Sequence, residues 1–413
     1  MKRETLLISV LYGLSGLSDG LFGPVALWAV QSTGNSPWLI SLSGLSIVLP
    51  RFVLMYLGNL IDRFGLLPSF GVLNAAALGV TATVLVEHSH IMVVRALLLI
   101  DLFIITTLWQ EVRMTGKAVV SREPQIERRV KINGRLFAVQ NIFLLAGLGL
   151  SALLFLGSHW FREGILVEII LLAMGLSVAL IMTRSFKTES SQQPAAATGS
   201  IPYLFGTIGR LWRGAPETKY VLSLALLANT AMAPLGVGLP TLLRRNIAAH
   251  GSVYSIVTAA RSMGNVVGVL GSELGSHVNV FLGSAIGGVI MGSGYASLGF
   301  LRYHAFVLAG AALLVVGFGN FLVESYLTAF WQDHAPEGSR SQFFGSIMLM
   351  FALAHPIGLG LYGILGGEIK ISWLFAIGGA GEGLFGIGIL VLWLQAKRRR
   401  SQRSSPTSQS AGM

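Results

Sequence analysis

The chain has 413 residues, of which 53% are hydrophobic and only 11% charged, against roughly 25% charged in a soluble globular protein. A water-soluble fold is excluded, so the formal net charge of +11 points to basic loops on one face of a membrane and not to nucleic acid. With no cysteine in the chain, disulfides, thiolate metal sites and thiol nucleophiles are excluded as well.

Met1-Lys2-Arg3-Glu4 precedes an apolar run that continues past Val30, too long for a signal peptide, and it is read as a retained helix. Apolar runs bounded by polar or Gly/Pro punctuation predict helices over 5–31, 37–57, 66–86, 91–112, 132–157 and 163–183, each long enough to cross a bilayer. A second set follows over 218–243, 252–272, 279–300, 303–330, 341–366 and 371–395. Twelve spans put both termini on one side. Most Lys and Arg then fall on that side, with Arg162, Arg244, Arg245, Arg302 and Lys370 on the other, so the termini are expected in the cytoplasm.

Between the second and third runs lies Gly58-Asn59-Leu60-Ile61-Asp62-Arg63-Phe64-Gly65. An acid, a base and two glycines cannot sit in hydrocarbon, where each unsatisfied backbone group costs several kcal/mol, so this is a tight turn at the membrane surface. The chain divides into a bundle over 1–184, a polar low-complexity linker over 185–217, a bundle over 218–396 and a tail over 397–413. The linker ends in an amphipathic stretch, Ile201 to Arg213, that suits a helix in the headgroup plane. The tail opens with the basic cluster Lys397-Arg398-Arg399-Arg400, a topology anchor.

The halves repeat weakly. One shift aligns Gly134, Gly147 and Gly149 with Gly345, Gly358 and Gly360, and Trp109-Gln110-Glu111 at the end of the fourth run matches Trp331-Gln332-Asp333 at the end of the tenth. Such traces are what repeated six-helix halves leave in a transporter sequence.

The Gly-x-Leu-x-Asp-Arg-x-Gly pattern carried by Gly58, Leu60, Asp62, Arg63 and Gly65 resembles the signature loop of the major facilitator superfamily of secondary transporters. Leu66, Leu67 and Pro68 stand where that family usually continues with basic residues. Gly16-Leu17-Ser18-Asp19-Gly20, Thr33-Gly34-Asn35-Ser36-Pro37 and Leu49-Pro50-Arg51 are similar to bacterial macrolide and siderophore exporters within it. The resemblance implies an all-α membrane protein of twelve transmembrane helices in two pseudo-symmetric six-helix bundles. It also implies that Asp62 meets the start of the eleventh helix and holds the cytoplasmic side shut.

No phosphate-binding Gly-rich loop followed by Lys occurs, so no cofactor or nucleotide is expected and energy must come from a gradient. The informative residues are ionisable groups at membrane depth, where a charge is costly and faces a cavity or a partner. Asp19, Asp101, Glu168, Glu324 and Glu382 qualify. The resemblance places the first, fourth and tenth helices at the central cavity and ranks Asp19, Asp101 and Glu324 first.

Asp19 lies mid-helix beside Gly16, Gly20 and Gly23, with Asn229 as its approximate counterpart in the second half. Arg261 and Asn265 form a polar stripe on the eighth helix, Asn320, Glu324 and Thr328 one on the tenth. Arg261 is the expected counter-ion across the cavity. His355, before Pro356, is read as a helix hydrogen-bonding residue.

The expected function is proton-coupled export of a small amphiphilic molecule across the inner or plasma membrane by alternating access, carried out by a monomer and without enzymatic chemistry. The expected partners are that substrate, protons or another coupling ion, and the bilayer. Divalent-metal export, or a non-transporting sensor or scaffold on the same fold, are the alternatives.

Overall fold

The computed structural model describes residues 2–32, 36–53, 66–87, 91–121, 126–185, 206, 209, 212–213, 216–247, 249–274, 279–302, 305–334, 340–366 and 368–403. Twelve long helices run through these residues: α1 (Lys2–Ser32), α2 (Pro37–Val48), α3 (Leu66–Val86), α4 (Ile91–Ser121), α5 (Ile126–Leu154), α6 (Trp160–Ser185), α7 (Pro216–Ile247), α8 (Gly251–Leu274), α9 (Val280–Phe300), α10 (Phe306–His334), α11 (Arg340–Leu365) and α12 (Ile371–Arg403). Seven of the described helices are long and apolar enough to cross a membrane, and four shorter apolar stretches accompany them. The signature turn (Gly58, Leu60, Asp62, Arg63, Gly65) and the Lys187–Ala197 linker lie outside the described residues, as does nearly all of 201–213.

Local signals explain the helix ends. Pro37 opens α2 after Ser36, its fixed φ suiting the first helical position, and the Asn279 side chain accepts from the Phe281 amide at the start of α9, as an N-cap does. After a turn at Leu49, a further helical piece over 50–53 carries Arg51. Four helices outrun their predicted C-terminal ends by four residues or more: α4 continues to Ser121, α7 to Ile247, α10 to His334 and α12 to Arg403. Arg244 and Arg245, expected in a loop, form the last turn of α7, where positive charge favours the helix dipole.

The packing repeats between halves: α1 lies along α5 and α3 along α6, as α7 lies along α11 and α9 along α12. Glycine permits the closest of these approaches. A Cβ on Gly16 or Gly20 would run into the carbonyl oxygens of Gln140 and Leu144, and one on Gly147 into that of Leu17. Gly16 and Gly20 therefore admit a neighbouring helix, whereas a Cβ on Gly23 would meet nothing within 4 Å. On α7 and α11 the counterpart contact is Gly358 against the Thr230 carbonyl. Gly147→Val has no side chain to push aside, only backbone, and is expected to cost about 1–3 kcal/mol, measured as a lowered thermal-unfolding midpoint in detergent. The same substitution at Gly149, whose Cβ would meet nothing within 4 Å, is the matched control.

α2 packs on α7 and α11, α5 on α8, and α1 touches α7 and α8. These contacts join the two sets of six helices at one end, where α1, α5, α7 and α11 finish and α2 and α8 begin. A shared apolar cluster there takes Trp28 and Ile40 from the first half and Leu235, Leu242, Tyr254 and Leu359 from the second.

Candidate functional site

The site grows from the extra length of α4. Because α4 does not stop at Val112, Arg113 remains on a helix and comes round to α1, one turn past Trp109 on the same face. Its guanidinium forms an ion pair with Asp19, whose side chain is 31% exposed against 24% for Arg113. Ser15, one turn below Asp19 on α1, accepts from the same Nη2 at 3.4 Å. With its amide oxygen turned towards Arg113, Gln140 of α5 accepts from Nε at 2.9 Å and Nη2 at 2.8 Å. Tyr12 donates to the Arg113 backbone carbonyl at 2.9 Å, so α1 and α5 grip this residue at both backbone and side chain.

Arg51, Glu324 and His355 extend the polar centre. Arg51 feels the charges of Arg113 on α4 and Glu324 on α10, and His355 on α11 feels that of Arg51. Arg51 and Glu324 are exposed. The imidazole Nδ1 of His355 lies 3.0 Å from the Phe351 carbonyl, the helix hydrogen bond expected of it.

The other predicted residues lie elsewhere. Asp101 is fully buried between α3 and α4, with Thr81 Oγ1 at 3.0 Å from each carboxyl oxygen, so Thr81 is its partner. Asn320 donates to Asn265 at 3.3 Å between α10 and α8, so the two polar stripes meet each other. Asn229 donates to the Ala225 carbonyl of its own helix at 2.8 Å. Arg261 acts on Tyr254 and Tyr295 and is not the partner of Asp19. Glu168 is fully buried and accepts from Ser18 at 2.6 Å. Glu382 is 3% exposed on α12. Among the described residues no group of three or more His, Asp or Glu is placed to hold a metal ion.

Away from the polar centre the shared end is sealed by neutral groups. Gln31 of α1 donates to the Val237 carbonyl at 2.6 Å and accepts from Thr241 at 2.8 Å, both on α7. Ser41 of α2 donates to the Leu359 carbonyl at 2.7 Å, and Ser151 of α5 to Ser255 of α8 at 2.7 Å. Trp28 stacks on Tyr254 with centroids 5.9 Å apart and meets Phe155 edge-on at 6.0 Å. An aromatic plug with buried neutral hydrogen bonds closes this end, while Asp19 and Arg113 keep exposure beyond it.

No protein-family model and no curated protein matches the sequence. The structure is similar to that of the nucleoside transporter NupG, with a TM-score of 0.67 and 11% identity over 94% of this chain and 98% of that one. A point-mutant form of NupG superposes with a TM-score of 0.71 at 12% identity, covering 94% and 99%. A POT family transporter in complex with 5-aminolevulinic acid gives 0.68 at 13% identity, covering 95% and 96%. The chain shares the fold of these solved transporters. At such identities it is the architecture that is shared, and the structures that share it are membrane transporters, not enzymes.

Proposed function

We propose that the chain is a secondary active transporter that moves a small amphiphilic molecule out of the cell in exchange for protons, by alternating access between halves 1–184 and 218–396. The observation that carries this reading is the Asp19–Arg113 ion pair: a partly exposed carboxylate and its counter-ion at mid-helix, beyond a sealed end. Protonation of Asp19 releases Arg113, and an acidic or polar group of the substrate takes its place, so proton and substrate exclude each other at one site. Arg261, Asn229, Asn265, Asn320 and Asp101 act in this reading on the helices that surround that exchange.

The protein works as a monomer in the inner or plasma membrane, crossing it twelve times with both termini in the cytoplasm and without a cofactor. The sealed end then faces outwards, and the signature turn with Asp62 and Arg63 acts as the cytoplasmic latch. Cysteine introduced at Ser191 is expected to resist an impermeant maleimide in intact cells and to react after permeabilisation; labelling of intact cells reverses the topology. The function itself is tested with purified protein in liposomes. A compound selected by thermal-shift screening of amphiphilic molecules should accumulate when a pH difference is imposed, and the absence of any pH-driven flux rejects proton coupling.

A further inference from the structure

Behind the central pair lies a second carboxyl that the transport scheme leaves unused. Ser18, the residue before Asp19, sits with 0% exposure between α4 and α6. It accepts from Trp109 Nε1 at 2.8 Å and donates its hydrogen to Glu168 Oε1 at 2.6 Å. Glu168 is 0% exposed, and its Oε2 has no hydrogen-bond partner among the described residues.

Among the described residues no cation pairs with Glu168. α6 packs on α1, α3 and α5. α3 carries no ionisable residue, and the charged residues of α5 all fall within 127–135, at its far end. α1 contributes Asp19, already paired with Arg113, and Lys2, Arg3 and Glu4 at its start. α4 carries Arg95, Asp101, Glu111, Arg113 and Lys117, and α6 itself Arg162, Glu163 and Arg184 at its ends. An ionised carboxylate buried with a single hydroxyl donor is strongly disfavoured, and such a group takes up a proton instead.

We infer that Glu168 is a second proton-binding carboxyl, joined through the Ser18 hydroxyl to the turn of α1 that holds Asp19, so that the first half stores a proton behind the central ion pair. The chemistry is proton binding alone. When Asp19 is ionised and paired with Arg113, Glu168 holds the proton. When Asp19 is protonated and Arg113 is released, the freed cation lies one helical turn from Trp109, the residue that anchors Ser18, and favours ionisation of Glu168. The consequence for transport rests on the reading of Asp19 given above, but the proton content of Glu168 does not.

Infrared difference spectroscopy of the full-length protein in liposomes, titrated with acid and base and with no substrate added, tests the inference. The protein should show, at neutral pH, the carbonyl stretch of a protonated, water-shielded carboxyl that disappears in Glu168→Gln. Asp101→Asn identifies any separate band from Asp101. Ser18→Ala keeps Glu168 and should shift the frequency of its band by removing the hydrogen bond; this reading survives even if Glu168→Gln fails to fold. Asp19→Asn, which leaves the Arg113 cation uncompensated, should weaken the Glu168 band at a fixed pH. The inference is overturned if no such band exists, if it persists in Glu168→Gln, or if it is unmoved in both Ser18→Ala and Asp19→Asn. Transport failing in the wild type while the band behaves as described would reject the transport reading and leave the proton site standing.

Discussion

Replacing Asp19 with Asn is expected to abolish accumulation driven by a pH difference while leaving downhill exchange of substrate intact. Asparagine keeps the size of the side chain and a hydrogen-bond acceptor for Arg113, but it cannot carry the proton whose loading and release performs the exchange. Folding should survive, because Arg113 remains held by Gln140, Ser15 and solvent. Liposome assays with a pH difference alone, and then with a substrate gradient alone, separate the two outcomes. If the Asn variant still concentrates substrate on a pH difference, the coupling group is another, and Glu324, exposed on α10, is the next to test. Arg113→Gln should show the complementary defect, weakened substrate binding with Asp19 left unneutralised.

The second large effect is expected at the sealed end. Gln31 is 2% exposed and satisfies both the Val237 carbonyl and the Thr241 hydroxyl across the boundary between halves. Gln31→Leu has similar volume but leaves these groups unpaired in a buried place, which costs about 1–3 kcal/mol. The cost falls only on the conformation in which this end is closed, so the equilibrium should move towards opening by about 5- to 150-fold. Spin labels at Val86 and Ile364, both exposed and at this end, can follow the change because the chain has no native cysteine to label. A longer-distance population should grow in Gln31→Leu. An unchanged distribution in well-folded protein would mean that Trp28, Phe155 and Tyr254 close this end without help from Gln31.

Much of the architecture was legible in the chain itself. A continuous apolar run must satisfy its backbone internally once it enters a bilayer, so the order of the twelve helices follows from composition, and the six-plus-six repeat follows from glycines that both halves need for close helix contact. Asp19, Glu324 and Arg51 were visible as charges in apolar surroundings. The position of the helix ends was less legible, because polar residues such as Arg113, Arg244 and Arg245 look like loop in a hydropathy pattern whether or not the helix continues through them.

That ambiguity is why the partner of Asp19 was expected on α8 and is found on α4. The sequence by itself determined that this is an all-helical membrane protein with a few costly acids inside it, since burial of charge is a property of each residue and its neighbours along the chain. Only the tertiary structure decided which acid meets which base, that Glu168 turns inwards to Ser18, that Asp101 is satisfied by Thr81, and which end is sealed. Those outcomes depend on the rotation and separation of helices far apart in sequence, and a helix shifted by one residue turns a side chain about 100°, from the interior space to a packed interface.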